Sequence, residues 1–157
     1  MPSPIFLDAN VPIYAAGTPH SMKEPCIQIL VLVAQRPQAF VTSAEVLQDL
    51  LHYYLSRGRW TQGREVIHRF ATLLDRRVES VHAVDIQQAV ALADSSTRLD
   101  ARDLLHAAVM ARLGCDTIIS ADRGFDATAS ITRLDPLTFA TWRATIATNS
   151  DESPTDA

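Results

Sequence analysis

Short apolar runs alternate along this chain with segments of helical periodicity, and that alternation restricts the fold more than any other feature. Ile5-Phe6-Leu7 is apolar on both faces of a potential strand, so it reads as buried on both sides. Further strands are expected at residues 39–42, 78–81, 117–120 and 131–134. Helices are expected at residues 10–16, from a Ser21-Met22-Lys23-Glu24 capping box to Gln35, and at 44–57, 61–76 and 85–95. Another opens at Asp100 and stops at Gly114, and a last one starts at Pro136. Strands interleaved with helices imply a layered α/β fold with a central, mostly parallel sheet flanked by helices. No repeat or linker divides the chain, so one domain over residues 1–148 is expected, followed by a polar, disordered tail at 149–157.

Composition supports a packed domain. Of 157 residues, 47% are hydrophobic and 20% charged, enough apolar surface for a core. The net charge of −4 argues against a basic nucleic-acid coat. It does not exclude nucleic acid, because carboxylates that hold a divalent cation present positive charge once loaded. Lys23 is the only lysine, a bias read as compositional. Cys26 and Cys115 lack zinc spacing and read as buried free thiols of a reducing compartment. The first residues lack the basic and apolar regions of a signal peptide, and the longest apolar run, Ile29 to Ala34, is too short to span a bilayer. The chain reads as soluble and cytoplasmic, with no membrane partner.

The chemistry is expected at acids placed by the strands. Asp8 ends the first strand, Asp122 follows the 117–120 strand with Asp126 four residues on, and Asp103 sits in the first turn of a helix. In an open parallel sheet, ligands gather beyond the carboxyl ends of strands. Carboxylates brought together there repel unless a cation joins them. Each acid also has a plain structural use: Asp8 as a helix cap, Asp103 at a helix dipole, Asp122 in a turn. Glu45 and Asp49 are four residues apart on one helix face, which a solvated acidic face would also explain. His106, three residues after Asp103, is expected to pack or hydrogen-bond rather than ligate metal. Glycine-rich nucleotide loops, a Gly-x-Ser-x-Gly elbow and a His-Glu-x-x-His pair are all absent. With carboxylate oxygens as the available ligands, Mg²⁺ is the expected ion and Mn²⁺ a possible substitute.

These motifs resemble the PIN-domain family, in particular the VapC-type toxins. Ile5-Phe6-Leu7-Asp8-Ala9-Asn10-Val11 is similar to the family's opening strand and its Asp-x-Asn signature. The stretch from Thr42-Ser43 to Asp49 and His52 is similar to the second acidic motif, Ala101-Arg102-Asp103-Leu104-Leu105-His106 to the third, and Ile118-Ile119-Ser120-Ala121-Asp122 to the fourth. They occur in the family's order over residues 4–146. The resemblance implies a three-layer PIN-like fold and Mg²⁺-dependent hydrolysis of RNA phosphodiesters. It carries Asp8, Asp103 and Asp122 over as metal ligands, with Asp49 as the fourth catalytic acid. The family's glutamate register falls on Asp49, and Glu45, one turn earlier, is its rival. Asn10 and Ser120 are implied as supporting groups, and Asp126 as a residue of the site or its rim. A small antitoxin partner and a homodimer are implied as well. A PIN-like binding module with weak or no activity, and a metal-dependent phosphatase, are the competing readings.

Overall fold

The computed structural model describes residues 2–95 and 98–148; the expected tail lies outside them. Five strands form one sheet: β1 (Ile5–Leu7), β2 (Phe40–Ser43), β3 (Val78–Glu79), β4 (Thr117–Ile119) and β5 (Thr132–Leu134). The order is β3-β2-β1-β4-β5, and every pairing is parallel. Among the described residues seven helices flank it: α1 (Asn10–Ala16), α2 (Lys23–Gln35), α3 (Ala44–Ser56), α4 (Trp60–Leu73), α5 (Ala83–Ser95), α6 (Ala101–Leu113) and α7 (Phe139–Thr148). This is the expected α/β fold. The chain leaves β1 in one direction to build β2 and β3, then returns to place β4 on the other side of β1. The strand order therefore reverses between β1 and β4, and a crevice opens beyond their carboxyl ends.

The inner strands are largely apolar because both faces are covered. Phe6, Leu7, Phe40, Ile118 and Ile119 are fully buried. Runs this apolar gain stability only inside a layer, which the helical crossovers supply. Cys26 and Cys115 are free and buried, as expected. Gly114 closes α6 in the left-handed conformation, φ 67°, where a side chain would be strained.

Two expectations need correction. The Ser21 capping box does not form: α2 has no side-chain cap, and the His20 ring accepts the Met22 amide hydrogen instead. The third strand pairs over only two residues, Val78–Glu79, because a local cap takes over beyond it. Asp85, buried, accepts from the His82 amide (2.7 Å) and from Arg112 Nε (2.8 Å), and Arg112 also reaches the Ser80 carbonyl (2.7 Å). Burial pushes the Asp85 carboxyl up, but the Arg112 and His82 hydrogen bonds outweigh it and hold it below its ordinary value. The clasp ties α5 to α6, the helix that carries Asp103.

Helices α3 and α4 meet at Gly63. A Cβ there would lie 2.3 Å from Tyr54 Cβ, and Tyr54 is buried. Close approach is thus a sequence requirement, and it fixes the helix that bears Asp49. Gly63→Ala is expected to lower stability by about 2 kcal/mol, because overpacking outweighs the gain of about 1 kcal/mol in helix propensity. Chemical denaturation reads this; an unchanged or raised midpoint would show that the two helices separate without cost.

Candidate active site

Asp8 follows the central strand and sits at the floor of the crevice, 5% exposed. Its amide still bonds the Ile119 carbonyl (3.1 Å), so β1 and β4 fix its backbone. One carboxylate oxygen accepts from the Ala9 amide at 2.7 Å; the other accepts from Ser120 Oγ at 2.6 Å and from Asn10 Nδ2 at 3.2 Å. Asn10 Nδ2 also donates to Ser120 Oγ (3.0 Å), and its Oδ1 accepts the Ala121 amide (3.1 Å). Ser120 Oγ accepts the Asp122 amide as well (3.0 Å). Asn10 and Ser120 therefore knot the ends of β1 and β4 around one carboxylate.

Helices α3 and α6 bring the other acids. His106 is fully buried one turn after Asp103, with its ring 5.6 Å from Phe6. Its Nε2 lies 2.9 Å from Asp49 Oδ2 and 3.8 Å from Asp8 Oδ1. Asp49 Oδ1 is buried without a hydrogen bond, and Arg102 Nη1 approaches it to 3.5 Å. Asp103 shares a carboxyl–carboxyl hydrogen bond with Asp122. Asp100 caps α6 by accepting the Asp103 amide, and Asp122 turns its own chain by accepting the Gly124 amide (2.8 Å).

Asp8, Asp49, Asp103 and Asp122 line one cavity of about 170 Å³, together with Ala9, Asn10, Ile13, Tyr53, Asp100 and Arg102. Five carboxylates thus face one guanidinium. The electrostatics follow. Burial holds the Asp8 carboxyl above its ordinary value, although His106 and the Ser120 and Ala9 hydrogen bonds pull it down. Asp103 is pushed up to about 8 by burial, by the bond to Asp122, and by the charges of Asp100, Asp8 and Asp122. Burial disfavours a charged His106, but the Asp49 bond and the Asp8 charge outweigh it and raise its pKa.

The donor set fits a hard divalent cation. It is rich in carboxylate oxygen, one buried oxygen of Asp49 lacks a donor, and crowding with neighbouring acids raises the Asp103 carboxyl in a way a cation would relieve. Among the described residues, ligand atoms of Asp8, Asp49 and His106 lie within 4.8 Å of one another, and Asp103 and Asp122 line the same cavity as Asp8 and Asp49.

Two expected site residues stand elsewhere. Asp126 does not line the cavity: both its oxygens are taken by Arg133 (2.9 and 3.0 Å), which also holds the Ser120 carbonyl (3.0 Å). Glu45 lies on α3 near Asp49, half-buried, with burial and the Asp49 charge raising its carboxyl, but it does not reach the cavity wall. Arg102, Asp100, Ile13 and Tyr53 are additions. Tyr53 is four residues beyond Asp49 on the same helix face, a spacing visible in the sequence.

The raised Asp103 carboxyl gives a signed expectation. Its folded value of about 8 exceeds the ordinary 3.8, so folding favours the protonated form. The stability this group adds is complete below about pH 4 and is lost as pH rises through about 8. In chelator, thermal stability should therefore fall from pH 6 to 9, and Asp103→Asn should flatten the slope. A slope identical in the variant would remove Asp103 as its source.

The PIN domain family profile matches residues 5–131. Ribonuclease VapC13 of Mycobacterium tuberculosis is 32% identical over 130 residues, covering 83% of this chain and 98% of that protein. The crystal structure of Mycobacterium tuberculosis VapC20, a sarcin-ricin loop cleaving toxin, superposes with a TM-score of 0.65 at 21% identity, over 80% of this chain and 95% of that one. VapBC2 of Rickettsia felis, bound to a DNA fragment from its promoter, gives a TM-score of 0.64 at 17% identity, over 83% and 97%. Sequence profile, sequence relatives and backbone agree, and the chain belongs to the PIN-domain family, in its VapC branch.

Proposed function

We propose that this protein is a divalent-metal-dependent endoribonuclease, the toxin of a cytoplasmic toxin–antitoxin pair. The convergence of Asp8, Asp49, Asp103 and Asp122 on one cavity at the β1/β4 reversal carries the reading. The ribonuclease names of its VapC relatives supply the substrate class.

These four acids would hold Mg²⁺ or Mn²⁺. A cation bound there polarises the phosphodiester and acidifies a water nucleophile. The protein's own groups do the rest. Ser120 and Asn10 orient Asp8, and His106 fixes Asp49 by its Nε2 contact. Asp103, whose carboxyl is held up to about 8, would have to give up its proton to serve as a ligand. Arg102, half-exposed at the cavity and held only loosely by Asp49 and Asp100, supplies a guanidinium for a phosphate oxygen.

An antitoxin would find a surface on the helices beside the site. A largely apolar groove of about 600 Å³ runs between α1, α2 and α4, lined by Ala15, Ile27, Leu30, Val31, Val66 and Phe70 among others, and carries Gln62, Glu65 and Arg69. It suits an amphipathic antitoxin helix. Helix α1 gives Pro12 and Ala15 to this groove and Asn10 and Ile13 to the acidic cavity, so an antitoxin seated there lies next to the site. Exposed Leu51 and Leu55 on α3, with Val84, Ile86 and Val90 on α5, suit a homodimer contact. No helix among the described residues is long and apolar enough to cross a membrane.

The test is cleavage of total RNA after chelation, with and without added Mg²⁺, with fragment ends mapped. Asp8→Asn or Asp103→Asn should lose more than about 100-fold in rate, beyond the 10–100-fold typical of outer-shell partners. Wild-type rates in either variant would sink the assignment. Asp49→Asn should cost far more than Glu45→Gln; the reverse order would move the site one helical turn. A protein that cleaves no RNA but hydrolyses small phosphate esters would be a phosphatase. His106→Phe keeps a ring against Phe6 but removes the nitrogen that holds Asp49. It should cost about 10–100-fold and weaken Mn²⁺ binding in calorimetry, and unchanged Mn²⁺ affinity would show that Asp49 needs no such support.

A further inference from the structure

We infer that Tyr53 and Arg57, on the last turns of α3, form a stacking subsite for one nucleobase of single-stranded RNA beside the scissile phosphate. The inference rests on the ribonuclease reading and names where that substrate's base sits. The cavity walls are otherwise carboxylates, a guanidinium and small groups; among the described residues Tyr53 is its only aromatic lining residue, with Ile13 as an apolar companion. A nucleotide whose phosphate meets the acids' cation can place its base against a planar group beside the cavity, where stacking is favourable.

Tyr53 is half-buried, and Arg57 Cζ lies 3.8 Å from its ring centroid. Arg57 Nη1 is pinned to the Tyr53 carbonyl and to Ser56 Oγ, each at 3.4 Å. Arg57 forms no ion pair with a carboxylate among the described residues, and it is exposed. A planar cation laid on an aromatic ring keeps one face free, and a base can stack on that face. The platform is held from below. Tyr54, buried, meets Tyr53 edge-on at 5.0 Å and 85°, and Tyr54 is itself pressed by Gly63. The stack therefore runs from a fixed core residue, along the cavity wall, to solvent. A cation at the end of α3 also favours the helix dipole. That role needs charge but no plane, so lysine would serve it equally well.

This difference sets the experiment. A single-stranded RNA oligonucleotide spanning a mapped cleavage site is assayed with Mg²⁺ for KM and kcat, using the full chain. Arg57→Lys should raise KM by about tenfold, as expected for one lost stacking contact, with kcat nearly unchanged. Arg57→Ala should do the same or slightly more, and Tyr53→Leu, which removes the ring beneath the guanidinium, should raise KM similarly. An abasic nucleotide walked across the positions flanking the cut should raise KM similarly at one position in wild type. At that position it should add little in Arg57→Lys, since base and guanidinium are then partners in one contact. Arg57→Lys with wild-type KM, or an abasic penalty undiminished in the variant, would overturn the subsite while leaving the nuclease intact. Failure of the wild type to cleave any RNA would overturn the ribonuclease reading, and the subsite with it.

Discussion

The short hydrogen bond from Ser120 Oγ to Asp8 is the contact on which the site depends. An acid at the end of a fully buried strand is costly, because desolvation disfavours its charge. Ser120, Asn10 and the Ala9 amide offset that cost with three donors. The same bonds tie β4 to β1 at the point where the strand order reverses. Position and charge are thus settled together: the geometry that opens the crevice also keeps a carboxylate within it.

Around this knot the cavity divides into two halves with different means of tolerating charge. On one wall, His106 is set between Asp49 and Asp8, so ring and carboxylates offset each other in place. On the other, Asp103 has no such ring, and burial with the neighbouring Asp122 holds its carboxyl up to about 8. Arg102 touches Asp49 and Asp100 from the mouth at 3.5 and 3.8 Å, distances too long for a firm pair. A cation held by these acids would require Asp103 to release its proton, which would couple binding to pH.

Much of this was legible in the sequence, because it rests on periodicity. The strands that end in Asp8 and lead to Asp122, the cap at Asp100 and the stop at Gly114 all follow from local pattern. What was not legible depends on partners distant in the chain. Asp126 reads as a possible site residue four positions past Asp122, yet Arg133, from the next strand, occupies both its oxygens. His106 reads only as a packed or bonded ring; that its partner is Asp49, 57 residues earlier, is a fact of tertiary structure. Ser21 looks like a cap but lies in a turn where His20 does the bonding. Tyr53 carries the right spacing, but spacing alone cannot tell a cavity wall from a core face.

The Asp8–Ser120 bond closes a loop of 112 residues. A central first strand flanked by a late fourth means that local folding cannot assemble the site, and contacts of such sequence separation form only once most of the chain is present. During synthesis the early helices can gather around β1 and β2 while Asp8 still lacks Ser120, and Asp103 and Asp122 have yet to emerge. The order of translation thereby sets the order of assembly: the acids of the cavity can meet only after β4 has joined β1 and the sheet has closed.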